Sequence, residues 1–479
     1  MIGDARVDAA GAAAWSRRTL LQAGLATAAG MAAPALAADA TAGDLAGLSR
    51  QVRGRFLTSA DSGYDDARRV WNKVYDRRPL AMARCADVDD VRRCVEFARR
   101  HALPVAIRGG GHSYAGWGVA DGALQVDLGM LDTVTIDAQR RIASVGGGTR
   151  IRQLLAASYA QGLITPMGAC GEVGVAGLAL AGGDTAARGL YGTACDNIIG
   201  AQMVTADGDV LELGPDRNAD LFWAIRGGGG NFGVVTRLDL QLHPILPSHN
   251  LGFRFGWSDI GAAMRVFGEL MRTAPDDVRM GFRVDPAAGA AFGCGVYGSE
   301  AMAADYFAIL HNAFPRAESR SSPTRLDPVG EVWETTNLAV DAAFLEGVDD
   351  ALAAVLERAA LAGRGFGAIL MGLSNGKAAR IGMTETAYPL RGTALSSMIS
   401  AEWHRPEDRD RAVNWVAEHG AALRPWARRA YVNYLPPSSP DRIREVYGIN
   451  YLRLAAIKAR FDPDNLFRSN QNILPARSA

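Results

Sequence analysis

Residues 108–118 read RGGGHSYAGWG and follow directly on PVAI at 104–107, an apolar run with the composition of a strand. Three consecutive glycines strip the backbone of side chains, and His112 stands at their end. Bare backbone lets a ligand approach its N–H groups, so one reading is a loop cradling a phosphate-bearing cofactor on which the His112 imidazole works. Another starts from GHSYA, one residue short of the G-x-S-x-G elbow of serine hydrolases, and makes Ser113 a nucleophile. That elbow must turn from strand straight into helix. Here SYAGWGVADG follows, and glycines at 116, 118 and 122 do not sustain a helix. The cofactor loop is preferred; Ser113 as a hydrolase nucleophile is the different-class alternative, and a purely structural His112 is the plain one.

The chain has 479 residues, room for two domains with full cores. Hydrophobic residues make up 48% and charged residues 21%, with 51 acidic and 51 basic side chains, so no charge excess points to nucleic acid or an anionic membrane surface. The 55 glycines are the anomaly, and they cluster in runs instead of repeating at a fixed period. Residues 1–37 form a separate message: Arg17 and Arg18 precede the apolar LLQAGLATAAGMAA, and ALA at 35–37 offers a cleavage site. Charged, apolar and small-residue parts in that order predict a signal peptide, and adjacent arginines predict the twin-arginine route, hence a periplasmic or secreted protein. No later segment reaches the roughly 18 uninterrupted apolar residues of a membrane span. Five cysteines (85, 94, 170, 195 and 294) include no C-x-x-C pair, and the histidines are scattered, so no metal site is expected.

Along the rest of the chain, DVDDVRRCVEFARR (87–100) places Val88, Val91, Val95 and Ala98 at helical spacing, with Cys94 packing among them. RIRQLLAASYAQG (150–162) is a second helix, and IIGAQMVTADGDVLEL (198–213) reads as two strands around the turn ADGD. RGGGGNFGVVTRLDLQLHP contains a G-x-G-x-x-G match at Gly228, Gly230 and Gly233. A dinucleotide fingerprint needs a helix next, whereas VVTRLDLQL alternates as a strand does, so the Rossmann reading fails. Beyond HPILPSHN the pattern changes: 250–300 and 366–403 are strand-rich, while 300–313 and 342–362 carry helical spacing. The tail REVYGINYLRLAAIKARFDPDNLF reads as one helix ended by Asp-Pro, with Leu452, Ala455, Ala456 and Ala459 as its packing face.

Two more stretches could carry chemistry. Cys170 sits in MGACGEVGVAGLALAGG (167–183), where a thiol between glycines on a mobile loop makes a better reactive group than a core residue. Histidine and cysteine can both attack an electrophilic ring. YVNYLPP (431–437) holds Tyr431 and Tyr434; as a strand it would put Tyr431 and Asn433 on one face and Tyr434 on the other. A tyrosine acts as a base only if positive charge or hydrogen bonds lower its pKa from about 10.

Together these stretches resemble the berberine bridge enzyme family of the vanillyl alcohol oxidase superfamily, over nearly the whole chain after the signal. PVAIRGGGHSYAG, PMGACGEVGVAGLALAGG, DLFWAIRGGGGNFGVVT and YGINYLRLAAIKARFDPDNLFRSNQNI are similar to family signatures and occur in the family's order. The resemblance implies an α+β fold: a two-part FAD-binding domain over 45–245, an α+β substrate-binding domain over 246–425, and a segment at 426–479 returning to the first. It implies FAD bound covalently through His112 and Cys170, with Arg108, Gly109, Gly110, Gly111, Ser113, Gly171, Val173, Gly177, Asn231, Gly233 and Asn470 around it. Tyr434 would be the catalytic base, with Tyr431 in reserve. Val173 matches the position that controls oxygen access, which favours an oxidase releasing H2O2 over a dehydrogenase or oxidative cyclase. The expected substrate is an alcohol, on a small molecule or an oligosaccharide, with Trp333, Glu334, Arg391 and Trp403 as candidates for its wall. Asp184 and Glu172 depart from the usual pattern and leave the substrate open.

Overall fold

The computed structural model describes residues 40–185, 187–323, 334–427 and 429–477. The expected export signal at 1–37 lies outside the described residues, as does Trp333.

Three sheets carry the fold. The first orders its four strands Arg55–Thr58, Ala81–Arg84, Leu124–Asp127, Val105–Arg108, with the last two pairings parallel. Helix Val88–Arg100 covers it. Asp87 caps that helix by accepting from the Asp90 N–H, and Val91, Cys94, Val95 and Ala98 turn inward as their spacing requires. The helix stops at His101, and Leu103 and Pro104 lead straight into strand Val105–Arg108, which delivers the first glycine loop.

The second sheet is antiparallel, in the order Val134–Asp137, Ile142–Gly146, Val234–Gln241, Ile198–Val204, Val210–Leu213. Its central strand is the alternating VVTRLDLQ that follows GGGGNFG, so no dinucleotide-binding helix starts there. The third sheet has seven antiparallel strands: Glu318–Pro323, Ser248–Phe255, Gly289–Tyr297, Val278–Asp285, Gly367–Ser374, Ala394–Trp403, Asn337–Leu345. Parity decides its two faces. Val278, Met280, Phe282 and Val284 pack into the core shared with helices Ile260–Leu270 and Asp350–Ala362, while Arg279, Gly281, Arg283 and Asp285 face the opposite way.

Three expectations need correction. The helical spacing at 342–362 splits: Asn337–Leu345 is a strand paired with Ala394–Trp403, and only Asp350–Ala362 is helix, started by the Asp349 cap on the Leu352 N–H. Small apolar residues on both sides of Gly347 carry the same period, and strand pairing decides between them. The segment at 431–434 is a 3-10 turn, Val432–Tyr434, not a strand. The tail is two helices, Pro440–Tyr447 and Tyr451–Phe461, and the second buries Tyr451, Leu454, Ala455, Ile457 and Lys458 while Leu452 is 76% exposed.

Lys458 explains that rotation. Its ammonium is fully buried and donates to Asp462, to the Asn231 carbonyl at 2.6 Å and to the Phe467 carbonyl at 3.0 Å. Asp462 in turn accepts the N–H groups of Leu466 and Phe467. A buried charge tolerates this only when fully partnered, and here one ion pair ties the last helix, the tail and the 228–233 loop together. Lys458→Met should therefore cost about 3–5 kcal/mol in urea denaturation. Adding Asp462→Leu, which removes the stranded carboxylate, should return part of that loss.

Candidate active site

Two glycine loops meet backbone to backbone. A Cβ on Gly110 would stand 2.2 Å from the Gly174 nitrogen, and one on Gly174 would stand 2.4 Å from the Gly110 nitrogen. Neither position can carry a side chain. Arg150 clamps the junction, its guanidinium donating to the Gly110 carbonyl and to the Glu172 carbonyl at 2.7 Å. The 170–173 loop is pinned as well, because the N–H groups of Ile151 and Arg152 donate to Val173 and Gly171. Cys170, expected on a mobile loop, is instead buried in the wall.

Both loops open onto a cavity of about 1590 Å³. Gly109, Gly110, Gly111, His112, Ser113, Cys170, Val173, Gly177, Asn231, Gly233 and Asn470 line it, as do Tyr431 and Tyr434. Arg108 and Gly171 stand behind the lining. Arg108 bonds the Ala67 carbonyl and faces Asp127, and Gly171 holds the helix at 151. Of the residues expected in a substrate wall, Trp403 packs in the core of the third sheet and Glu334 does not line the cavity. Arg391 is spent on Asp196 in a bidentate ion pair at 2.6 and 2.9 Å, with both side chains almost fully buried.

The His112 imidazole stacks on Trp71 with ring centroids 5.6 Å apart. Burial pulls its pKa down to about 4, and the Arg150 and Arg108 charges add to the effect. The ring is therefore neutral near pH 7 and keeps a nitrogen lone pair. Ser113 faces the cavity, but no hydrogen bond links its hydroxyl to a histidine among the described residues, so the elbow chemistry lacks its base. Glu172 turns its carboxylate away to Arg152 and leaves the cavity uncharged at that point.

On the same cavity, Tyr431 and Tyr434 meet edge to face at 4.8 Å, and the Tyr434 ring packs on Tyr114 at 5.7 Å. A strand would have separated them; the 3-10 turn brings them together. The Tyr431 hydroxyl accepts from the Gly183 N–H at 3.0 Å and from Asn433 Nδ2 at 2.9 Å. Burial raises the pKa of both tyrosines, and Arg188 is a cation that opposes the rise in both. Arg188 is buried, ion-paired with Asp184 and donates to the Leu373 carbonyl at 2.6 Å. Asp184 was visible as a departure in the sequence, whereas Arg188 was missed. An acid followed four residues later by an arginine, ahead of a short helix, was the available signal.

The tail closes the remaining side. Asn231 donates to the carbonyls of Gly228 and Gln471 and accepts the Ile473 N–H, so its amide is occupied in holding the tail. Trp117 Nε1, Thr185 Oγ1, Asn470 Oδ1 and Gln471 Oε1 are different: each is buried, lines the cavity and has no partner among the described residues. Orphaned donors and acceptors beside bare glycine backbone fit a flat cofactor with polar edges and a pyrophosphate, as FAD has. No group of three or more histidine, cysteine or acidic side chains is placed to hold a metal among the described residues.

Residues 79–214 match the family described as FAD binding domain, and residues 430–474 match the one described as berberine and berberine like. The chain is 29% identical over 457 residues to (R)-6-hydroxynicotine oxidase of Paenarthrobacter nicotinovorans, covering 89% of this chain and 98% of that protein. Among solved structures, the wild-type BBE-like 1 protein of Physcomitrella patens superposes with a TM-score of 0.83 at 24% identity, over 91% of this chain and all of that one. The xylooligosaccharide oxidase of Myceliophthora thermophila C1, solved with xylobiose, superposes with a TM-score of 0.81 at 22% identity, over the same shares.

Two glycines separate packing from cofactor space. Gly174→Ala forces a methyl onto the Gly110 backbone and should lower the stability of the cofactor-free protein by about 1–3 kcal/mol. Gly177 has nothing within 4 Å of its missing Cβ, on the side that lines the cavity. Gly177→Ala should leave the unfolding temperature unchanged or raised while the flavin content falls. Thermal unfolding and the visible flavin absorbance of the purified variants separate the two outcomes.

Proposed function

We propose that this chain, a berberine bridge enzyme-like FAD-linked oxidoreductase of mixed α+β fold with a separate β-rich substrate domain, oxidises an alcohol carbon of its substrate. FAD, when bound, would supply the hydride acceptor and the means of reducing O2 to H2O2. One observation carries this function: the tyrosine pair and Arg188 line one cavity together with His112 and Cys170.

The residues divide the work. A neutral tyrosine hydroxyl offers two lone pairs, and both of Tyr431's are taken by Gly183 and Asn433. Tyr431 therefore positions, and Tyr434, whose hydroxyl has no partner among the described residues, removes the substrate hydroxyl proton. Burial alone would hold Tyr434 protonated. The Arg188 guanidinium stays charged at any working pH and favours the phenolate. His112, neutral, and Cys170 tether the flavin covalently, and Val173 leaves oxygen a path to it. The flavin-binding part spans 45–245, the substrate part 246–425, and 426–479 returns to close the first. Arg17 and Arg18 direct export of the folded, loaded protein through the twin-arginine machinery to the periplasm or medium.

Acid precipitation followed by tryptic mapping tests the tethers: flavin should stay on peptides containing His112 and Cys170, and flavin released to the supernatant would remove that claim. Tyr434→Phe should lower kcat by about 10²–10⁴-fold, and Tyr431→Phe by less.

Charge substitutions at the ion pair should move the pH profile in opposite directions. Arg188→Met removes the cation that favours the phenolate, so the rise of kcat/KM with pH should shift up by about one unit or more. Asp184→Asn leaves the guanidinium uncompensated and should shift it down. Profiles that superpose on the parent would show that the pair only packs.

A further inference from the structure

The floor of the substrate side carries a row of four glycines, and nothing in the fold requires three of them; the fourth, Gly372, is held to glycine because a Cβ there would stand 2.6 Å from an Arg188 guanidinium nitrogen. Gly252 pairs with Gly293, Gly293 with Gly281, and Gly281 with Gly372, so four neighbouring strands of the seven-stranded sheet place glycine in one row across the cavity. A Cβ on Gly293 would meet nothing within 4 Å, and on Gly252 nothing nearer than 3.9 Å. On Gly281 it would touch only the Met371 carbonyl at an ordinary 3.4 Å. None of these three has a positive φ. Glycine inside a strand costs about 0.5–1 kcal/mol relative to alanine, and where packing and backbone do not demand it, close approach of a ligand remains as the reason.

Arginines rim this trough. Arg320 pairs with Gly252 at one end of the row. On one bank Arg254 and Arg283 flank Ala291, and on the other Arg279 lies across Gly295 to donate to Asn250 Oδ1 at 2.7 Å. All four line the cavity, against two carboxylates from the same strands, Asp285 and Glu318. Only Arg283 has an ion-pair partner among the described residues, Asp285 at 3.4 Å, and that pair is exposed. Arg279 Nε is buried with no acceptor among the described residues. Phe253, Phe282 and Phe292 have the opposite parity and are buried in the core behind, and Tyr297, which shares the parity of Gly293, is not part of the cavity lining. The trough thus offers a substrate guanidinium groups and bare backbone, while the rings that line the cavity with it, Tyr434 among them, come from other elements.

Resting on the oxidase reading above, we propose that the substrate is a carboxylated alcohol. Its slender body lies on the glycine row with the carbinol toward Tyr434, and its carboxylate is held by the arginine rim through charge-assisted hydrogen bonds. The oxidation is then R–CHOH–R′ + O2 → R–CO–R′ + H2O2, with the carboxylate unchanged.

Matched probes test this on the flavin-loaded protein: 4-(hydroxymethyl)benzoate and glucuronate, each against its own amide, titrated while the flavin absorbance is followed. At least one acid should bind tenfold or more tighter than its amide, and which acid does so tells an aromatic from a sugar body. The preference should collapse in Arg254→Gln/Arg283→Gln, whose positions are exposed, so flavin content and unfolding temperature stay at the parent's values. Amides binding as well as acids, a preference that survives the double variant, or no spectral change with either acid would overturn the proposal. Acid-selective binding with no flavin reduction by any bound alcohol would instead leave the anion site standing and defeat the oxidase reading.

Discussion

The contact on which the site depends is the one between Gly110 and Gly174. Two loops from different parts of the first half of the chain touch through bare backbone, and the Arg150 guanidinium bonds a carbonyl from each. His112 lies two residues beyond one glycine and Cys170 four residues before the other. Fixing the glycines therefore fixes both side chains against one cavity. Any side chain at the junction would drive the loops apart by ångströms and change the spacing between His112 and Cys170. The glycine content that stood out in the composition is concentrated where backbone must approach backbone or ligand.

A second constraint ties the remaining walls to that junction. The Asp196–Arg391 pair is buried, and Thr193 and Thr386 add hydrogen bonds to it, so the 193–197 turn of the first half is fastened to the 376–394 segment of the second. Lys458–Asp462 does the same for the tail through Asn231. Buried ion pairs contribute little net stability relative to apolar replacements, but they tolerate only one arrangement of their partners. Here both sit where distant chain segments must register against one another.

How much of this was legible follows from the range of the interactions involved. The glycine loops, His112, the strand after GGGGNFG and the helix at 88–100 rest on local pattern, and local pattern was enough. The family match at 79–214 takes in the helix at 88–100, His112 and the first two glycine loops, while the strand after GGGGNFG lies outside it. Tyr431 and Tyr434 were legible as residues but not as a pair, because i and i+3 meet in a 3-10 turn and part in a strand, and YVNYLPP does not choose. The tail helix was misfaced because Leu452 is more apolar than Lys458. What reversed them is a carboxylate one turn further on and two carbonyls from elsewhere in the chain, which no hydropathy reading contains. Arg391 looked like a substrate contact because its buried partner lies 195 residues away.

The same parity that builds the second core also shapes the substrate side, and this couples stability to specificity. In VRMGFRVD every second residue belongs to the core, so Val278, Met280, Phe282 and Val284 hold the sheet on its helices whatever stands between them. The intervening Arg279, Gly281, Arg283 and Asp285 are then free to vary without loss of the fold. A strand with no packing duty on its cavity face ordinarily gains by carrying β-branched or aromatic residues there, which raise strand propensity. This one carries glycine and arginine, the former a poor strand former and the latter a charge rim. The sequence has given up strand stability on one face only, the face turned toward the tyrosines, and what a ligand gains there is an uncluttered floor between guanidinium groups.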